Sequence, residues 1–174
     1  VLRNDPRSKA LLERAETLCR RHTLSPATVA MLEQTWGECW RRAGELNRAL
    51  EHKHRALLLY ERIDDRQAIL KTFGNLSLIY GEAKNFERAS EYARRVLALA
   101  DTMTVEPEIL ASTHLNLGVA CFWQADYAQA QAEYEAALDI ARDSIWVLLI
   151  VAAPAMLTAQ RYSEGSLTAP ISAA

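Results

Sequence analysis

Leu117-Gly118-Val119-Ala120-Cys121, followed by Tyr127-Ala128-Gln129-Ala130, Tyr134 and Ala137-Leu138, is the stretch that decides the fold, because the same arrangement stands twice more upstream. Trp36-Gly37-Glu38-Cys39-Trp40 precedes Leu46-Asn47-Arg48-Ala49 and Ala56-Leu57, and Leu76-Ser77-Leu78-Ile79-Tyr80 precedes Phe86-Glu87-Arg88-Ala89 and Val96-Leu97. The three segments align without gaps. Each has a large residue with a small neighbour, then an alanine nine positions past Trp40, Tyr80 or Cys121. A small residue at Gly37, Ser77 or Gly118 lets a second helix come close, and Ala49, Ala89 and Ala130 do the same from the other side. Large residues beside them fill the groove between the two helices, as ridge-into-groove packing requires. One such pair cannot bury its apolar surface alone, so neighbours stack.

Ala49 to Ala89 is 40 residues and Ala89 to Ala130 is 41. A fixed period of this size is the mark of a helical repeat array. Helices are expected near 6–22, 26–43, 46–63, 65–83, 86–102, 107–124, 126–143 and 145–160. Asp5-Pro6 and Ser25-Pro26 each set a capping residue before a proline at the first helical position, and Glu106-Pro107 opens another helix. Asp64-Asp65 and Asp126 place negative charge at helix N-termini.

These positions resemble the tetratricopeptide repeat (TPR) family, whose signature requires several of them at once: Leu117-Gly118, Tyr127, Ala130, Tyr134 and Ala137 match nearly all of it. The resemblance covers roughly residues 5–165. Its longer period is similar to that of arrays in bacterial regulators and in adaptors of the kinesin light chain and LGN kind. It implies an all-α, right-handed solenoid of antiparallel helix pairs. About three full repeats are expected, with partial repeats at both ends. Residues 1–165 form the array: 5–24 as the second helix of a truncated repeat, 26–63, 65–102 and 107–143 as repeats, and 145–165 as a degenerate terminal one kinked at Pro154. Residues 166–174 are a tail.

Composition agrees with a helical protein and narrows the function. The chain has 174 residues, half of them hydrophobic, with 6 Gly and 5 Pro. Its 20 basic and 22 acidic residues give a net charge of −2, which argues against direct nucleic-acid binding. Charge is uneven: residues 1–63 carry +4 and residues 64–174 carry −6. Cys19, Cys39 and Cys121 are odd in number and far apart, with no CxxC, so a reduced, cytoplasmic setting without disulfide or zinc is expected. The absence of an initiator Met at Val1 reads as a piece of a longer protein. Ser144 to Gln160 carries no charge but is short for a membrane span, which needs about 20 residues.

No catalytic constellation stands out. His22, His52, His54 and His114 are scattered, and His52 and His54 do not share a helical face. There is no phosphate loop and no dinucleotide fingerprint. Acidic residues fall where solvated helix faces are expected. Neither a cofactor, a metal nor an enzymatic activity is expected.

The resemblance implies instead a partner-binding groove lined by the first helix of each repeat. Mapped onto this chain it holds Gln34, Thr35, Glu38, Arg41 and Arg42, then Lys71, Asn75, Leu78 and Glu82, then Ser112, Asn116, Val119, Phe122 and Trp123. Asn75 and Asn116 occupy one repeat position. An amide there offers both donor and acceptor to a peptide backbone, as related repeats use it. Adjacent Phe122 and Trp123 point about 100° apart, so one enters the core while the other faces the groove. Trp36 and Trp40 read as core.

The expected function is therefore binding of a protein or peptide, as part of a larger bacterial regulator or scaffold. The alternative is self-association. Ile145, Val147, Leu148, Ile150 and Val151 form an apolar run wider than one buried stripe, suited to a homodimer.

Overall fold

A computed structural model describes residues 24–140 together with Ala10, Leu11, Glu13, Arg14 and Thr17. The calls on 145–165, on the self-association run and on most of the first helix lie outside the described residues. Six helices follow in order: α1 Pro26–Arg42, α2 Leu46–Arg62, α3 Arg66–Glu82, α4 Phe86–Ala100, α5 Pro107–Trp123 and α6 Tyr127–Ile140. No strand occurs among the described residues. The first five helices begin and end within two residues of the ranges read from the sequence, and α6 begins within one residue of its expected start, its described part reaching Ile140.

Four of the six helices start on a capping side chain, and α2 and α5, preceded by Glu45 and Glu106, do not. Ser25 accepts from the Thr28 N–H at 3.2 Å ahead of Pro26. Asp65, Asn85 and Asp126 accept likewise from Ala68, Arg88 and Gln129, at 3.0–3.2 Å. Four of the helices, α1, α2, α3 and α5, stop on a left-handed residue: Gly44, Asp64, Lys84 and Ala125 in turn, with φ between 54° and 82°. At each, two N–H groups turn back to satisfy the last carbonyls, as Gly44 to Arg41 and Glu45 to Trp40 do at 2.9 and 3.0 Å.

The chain falls into two compact units, divided between Thr104 and Val105. In the first, α1 packs on α2, α2 on α3 and α3 on α4; in the second, α5 packs on α6. Trp36, Trp40, Ala49 and Ile79 form one core cluster, and Leu57, Leu76 and Tyr92 another. Ala111 and Ala137 make a core of the second unit with Leu115, Leu138 and Ile140.

Each pair closes on its small residue in a different way. A Cβ on Gly118 would lie 2.6 Å from Tyr134 Cε1, so the tyrosine ring occupies the space that a side chain would need. On Gly37 the neighbour is the aliphatic stem of Lys53, at 2.9 Å. In the middle repeat the small residue grows to Ser77, which donates to the Ala89 carbonyl at 2.8 Å. The residue corresponding to Lys53 and Tyr134 is there Ala93, buried. Volume on one helix is thus offset by its loss on the other.

A second register position also pairs within every repeat. Glu33 on α1 meets His52 on α2, Oε2 to Nδ1 at 2.6 Å, and both are buried. The corresponding residues on α3 and α4 are Phe73 and Tyr92, with ring centroids 5.9 Å apart. On α5 and α6 the order of the two residue types is reversed: His114 Nδ1 lies 2.7 Å from Glu133 Oε2. Glu33 was expected on a solvated face. It is buried because His52 supplies the hydrogen bond that water would have given.

Two outcomes are expected in urea denaturation. Gly118→Ala loses about 1–3 kcal/mol by overpacking against Tyr134. Gly74→Ala, in the same kind of helix with nothing within 4 Å of the new Cβ, gains about 0.5–1 kcal/mol of helix propensity. Either His52→Glu or Glu33→His alone leaves a buried polar group without its partner and costs about 1–3 kcal/mol. The double exchange, which copies the order found in His114 and Glu133, recovers most of that loss. Additive losses in the double variant would show the two side chains to be independent.

Candidate functional site

The first helices of the first two repeats, α1 and α3, enclose a hollow of about 500 Å³ together with α2. Gln34, Thr35, Glu38, Cys39, Arg42, Lys53 and Asn75 line it. Five of these were expected from the repeat register; Cys39 and Lys53 were not.

The lining residues differ in how free they are. Glu38 is held on both sides. Arg41 donates to it through Nε at 3.0 Å and a terminal nitrogen at 2.9 Å, and Arg42 Nε donates at 2.7 Å. Hydrogen bonding from Arg41, against an opposing effect of burial, brings the Glu38 carboxyl down to about 2. Arg41 reaches on to Glu82 of α3 at 2.5 Å, and a second hollow lies beside that bridge, lined by Arg41, Arg42, Gly44, Leu46 and Glu82. Gln34 accepts from Lys53 through its carbonyl at 2.9 Å, and its side-chain amide stands 3.2 Å from the Thr72 hydroxyl. Thr35 donates to its own helix at Met31. Asn75 is half-buried, and among the described residues its side chain makes no hydrogen bond. Lys71 and Leu78 lie exposed on α3, Leu78 at 36%.

Lys53 is the unexpected member. It sits on α2 with its stem pressed over Gly37, and only 2% of it is exposed. Among the described residues its amine has the Gln34 carbonyl as its one hydrogen-bond partner and no carboxylate at salt-bridge distance. Burial pushes the ammonium down to about 8, with the nearby Glu38 carboxylate acting in the opposite direction. The signal for it lay in the repeat register: Lys53 corresponds to Tyr134, a core position, and a lysine there has to bury its stem.

On α5 the expected groove residues divide. Phe122 is buried and Trp123 half-buried, edge-on to one another with centroids 6.1 Å apart, so the pair splits between core and surface as the 100° rule requires. Val119 is half-buried, and Ser112 donates back to the Ile109 carbonyl at 3.0 Å, inside its own helix. Asn116 is half-buried, and like Asn75 its side chain forms no hydrogen bond among the described residues. No group of three or more His, Cys, Asp or Glu among the described residues is placed to hold a metal ion. Among them, too, no helix is long and apolar enough to cross a membrane.

The depressed Lys53 value fixes a pH dependence. Between about 8 and the ordinary 10.5 the unfolded chain holds a proton that the folded chain has released, so stability rises with pH across that window. Lys53→Met is expected to abolish the rise and to be more stable at neutral pH by on the order of 2 kcal/mol, measured as the difference between urea midpoints below and above the window. A variant that keeps the wild-type slope would show that another group titrates there.

Family models described as tetratricopeptide repeat match residues 27–102 and 111–144, together more than half of the chain. No curated protein matches it. Among solved structures, BtubC (BKLC) from P. vanneervenii superimposes with a TM-score of 0.61 at 20% identity, over 84% of this chain and 52% of that one. The chain therefore spans about half the length of BtubC. The N-terminal domain of stress-induced protein-1 (STI-1) from C. elegans gives a TM-score of 0.61 at 17% identity, over 76% of this chain and 99% of that domain. The paired helices, the glycine contacts and both matches agree: the chain belongs to the tetratricopeptide repeat family.

Proposed function

We propose that the chain binds an extended segment of a partner polypeptide along the faces of α1 and α3, with the face of α5 in the second unit serving the same purpose by itself, as one interaction module of a larger regulatory or scaffold protein. Tetratricopeptide repeats generally mediate protein–protein interaction, and theirs is not a catalytic fold. The observation that carries the reading is Asn75: a half-buried amide on the wall of the α1–α3 hollow, with donor and acceptor both unused. An amide that is neither sealed from water nor tied to a neighbour is free to exchange solvent for a partner, and a peptide backbone presents the complementary pair. Asn116 repeats the arrangement on α5. Leu78, exposed one turn beyond Asn75, offers an apolar contact to the same segment.

Peptides selected by display on the purified chain supply the test. Asn75→Ala and Asn116→Ala are each expected to weaken the selected peptides about 2–10-fold, in line with one lost hydrogen bond, while the melting temperature stays within a degree or two. Equal binding by both variants, or unfolding of both, removes the asparagines from the groove.

A further inference from the structure

The first-helix faces of the three repeats differ in charge. On α1 Glu38 stands with Arg41 and Arg42, and on α3 Lys71 stands with Glu82, so both faces mix acids with bases. Direct ion pairs tie Arg41 and Arg42 to Glu38, and Arg41 to Glu82. On α5 the same register holds Glu108, Ser112, Asn116, Val119 and Trp123, with one acid and no base. At 100° per residue these five lie within an arc of about 80°, and at 1.5 Å per residue they span about 22 Å. Glu108 is exposed and the other four are half-buried. The imbalance extends through the whole second unit. Residues 96–141, a run of 46, contain no Lys or Arg, where the chain's average of 20 in 174 would place about five. The described residues of that unit, 105–140, carry six carboxylates: Glu106, Glu108, Asp126, Glu133, Glu135 and Asp139. Glu133 meets His114 at 2.7 Å, and the other five are exposed.

We infer that the α5 face is the docking surface for a basic segment of the partner, with Lys or Arg side chains toward Glu108 at one end and toward Trp123 and Asp126 at the other. The inference rests on the groove reading above and adds to it the sign of charge that the partner brings to the second unit. Charge complementarity selects this occupant. Exposed carboxylates in a unit whose described residues include no Lys or Arg set up a negative potential, which draws in and orients a cationic segment and repels an acidic one. The half-buried Trp123 offers a basic side chain an apolar surface for its stem and an aromatic ring for its charge. Phe122 meets that indole edge-on at 6.1 Å. Asp126 stands three residues on, exposed in the α5–α6 turn, where its carboxylate also accepts from the Gln129 N–H at 3.1 Å. A stripe of this length takes about six or seven extended residues, so more than one basic side chain can meet it at once.

The probes are two peptides of about eight residues on one apolar frame, with lysine at every second position in one and glutamate in the other. Each is titrated into the full chain while the Trp123 indole N–H is followed by NMR. At about 0.02 M salt the lysine peptide is expected to shift that signal saturably and the glutamate peptide to leave it in place. Raising the salt to about 0.3 M is expected to weaken the lysine peptide about tenfold or more. Glu108→Gln and Asp126→Asn, the second of which keeps a capping side chain, are each expected to weaken it about 2–5-fold. Glu61→Gln, on α2, is expected to leave it unchanged. Equal responses to the two peptides, indifference to salt, or full binding by both the Glu108 and Asp126 variants overturns the docking surface. Should either variant not fold, the peptide pair and the salt series on the wild type decide the matter alone. A Trp123 signal that moves with chain concentration in the absence of peptide assigns the face to a second copy and overturns the proposal too. Display-selected peptides that need Asn75 and Asn116 but are acidic or uncharged overturn the basic segment and leave the groove standing. Asparagine variants that bind like the wild type, with the lysine peptide still dependent on salt and Glu108, do the reverse.

Discussion

Everything in this chain depends on how closely two helices can approach. Gly118 has no side chain because the Tyr134 ring is where its Cβ would be, and Gly37 has none because the Lys53 stem is there. That proximity brings the flanking residues into contact, so Trp36 and Trp40 reach Ala49 and Ile79, and Ala111 reaches Ala137. Where the small residue becomes Ser77, the hydroxyl hydrogen-bonds the opposing backbone and the facing residue shrinks to Ala93. The constraint is on summed volume, and any one residue can vary if its partner compensates.

The turns carry the same logic at the backbone. A left-handed residue ends α1, α2, α3 and α5, and only one of the four is glycine. Asp64, Lys84 and Ala125 accept a conformation unfavourable to a side chain by roughly 1–2 kcal/mol, because it lets two N–H groups satisfy carbonyls that would otherwise be left open. The link between α4 and α5 has no such residue, and it contains the division between the two units.

Most of the fold was legible because the deciding residues are small, and small residues at a fixed period have few other reasons to recur. Ser25, Asp65 and Asp126 announced their helices for the same reason: each has one local hydrogen bond to make. The site was legible only in part. Register located Asn75, Asn116 and the Glu38–Arg42 cluster, but it could not tell that Glu38 is already held by two arginines or that Ser112 bonds within its own helix. Lys53, Glu33 and His52 were missed because a charged residue reads as solvent-facing until its partner is known. Those partners lie on a neighbouring helix, 19 positions away in both the Glu33–His52 and Lys53–Gln34 contacts. No local window sees both ends of such a contact.

The exchanged pairs, Glu33 with His52 and His114 with Glu133, bear on how an array like this can change over time. Duplicated repeats begin identical and interchangeable. Once one copy has fixed acid-then-base, another base-then-acid, and a third two aromatic rings, their helices no longer recombine. A crossover joining α1 to α6 would bring two carboxylates together, and one joining α5 to α2 would bring two imidazoles. A sequence averaged over the three units would fit none of them. The array has become a set of individuals, each helix specific to its own mate through chemistry inside the repeat.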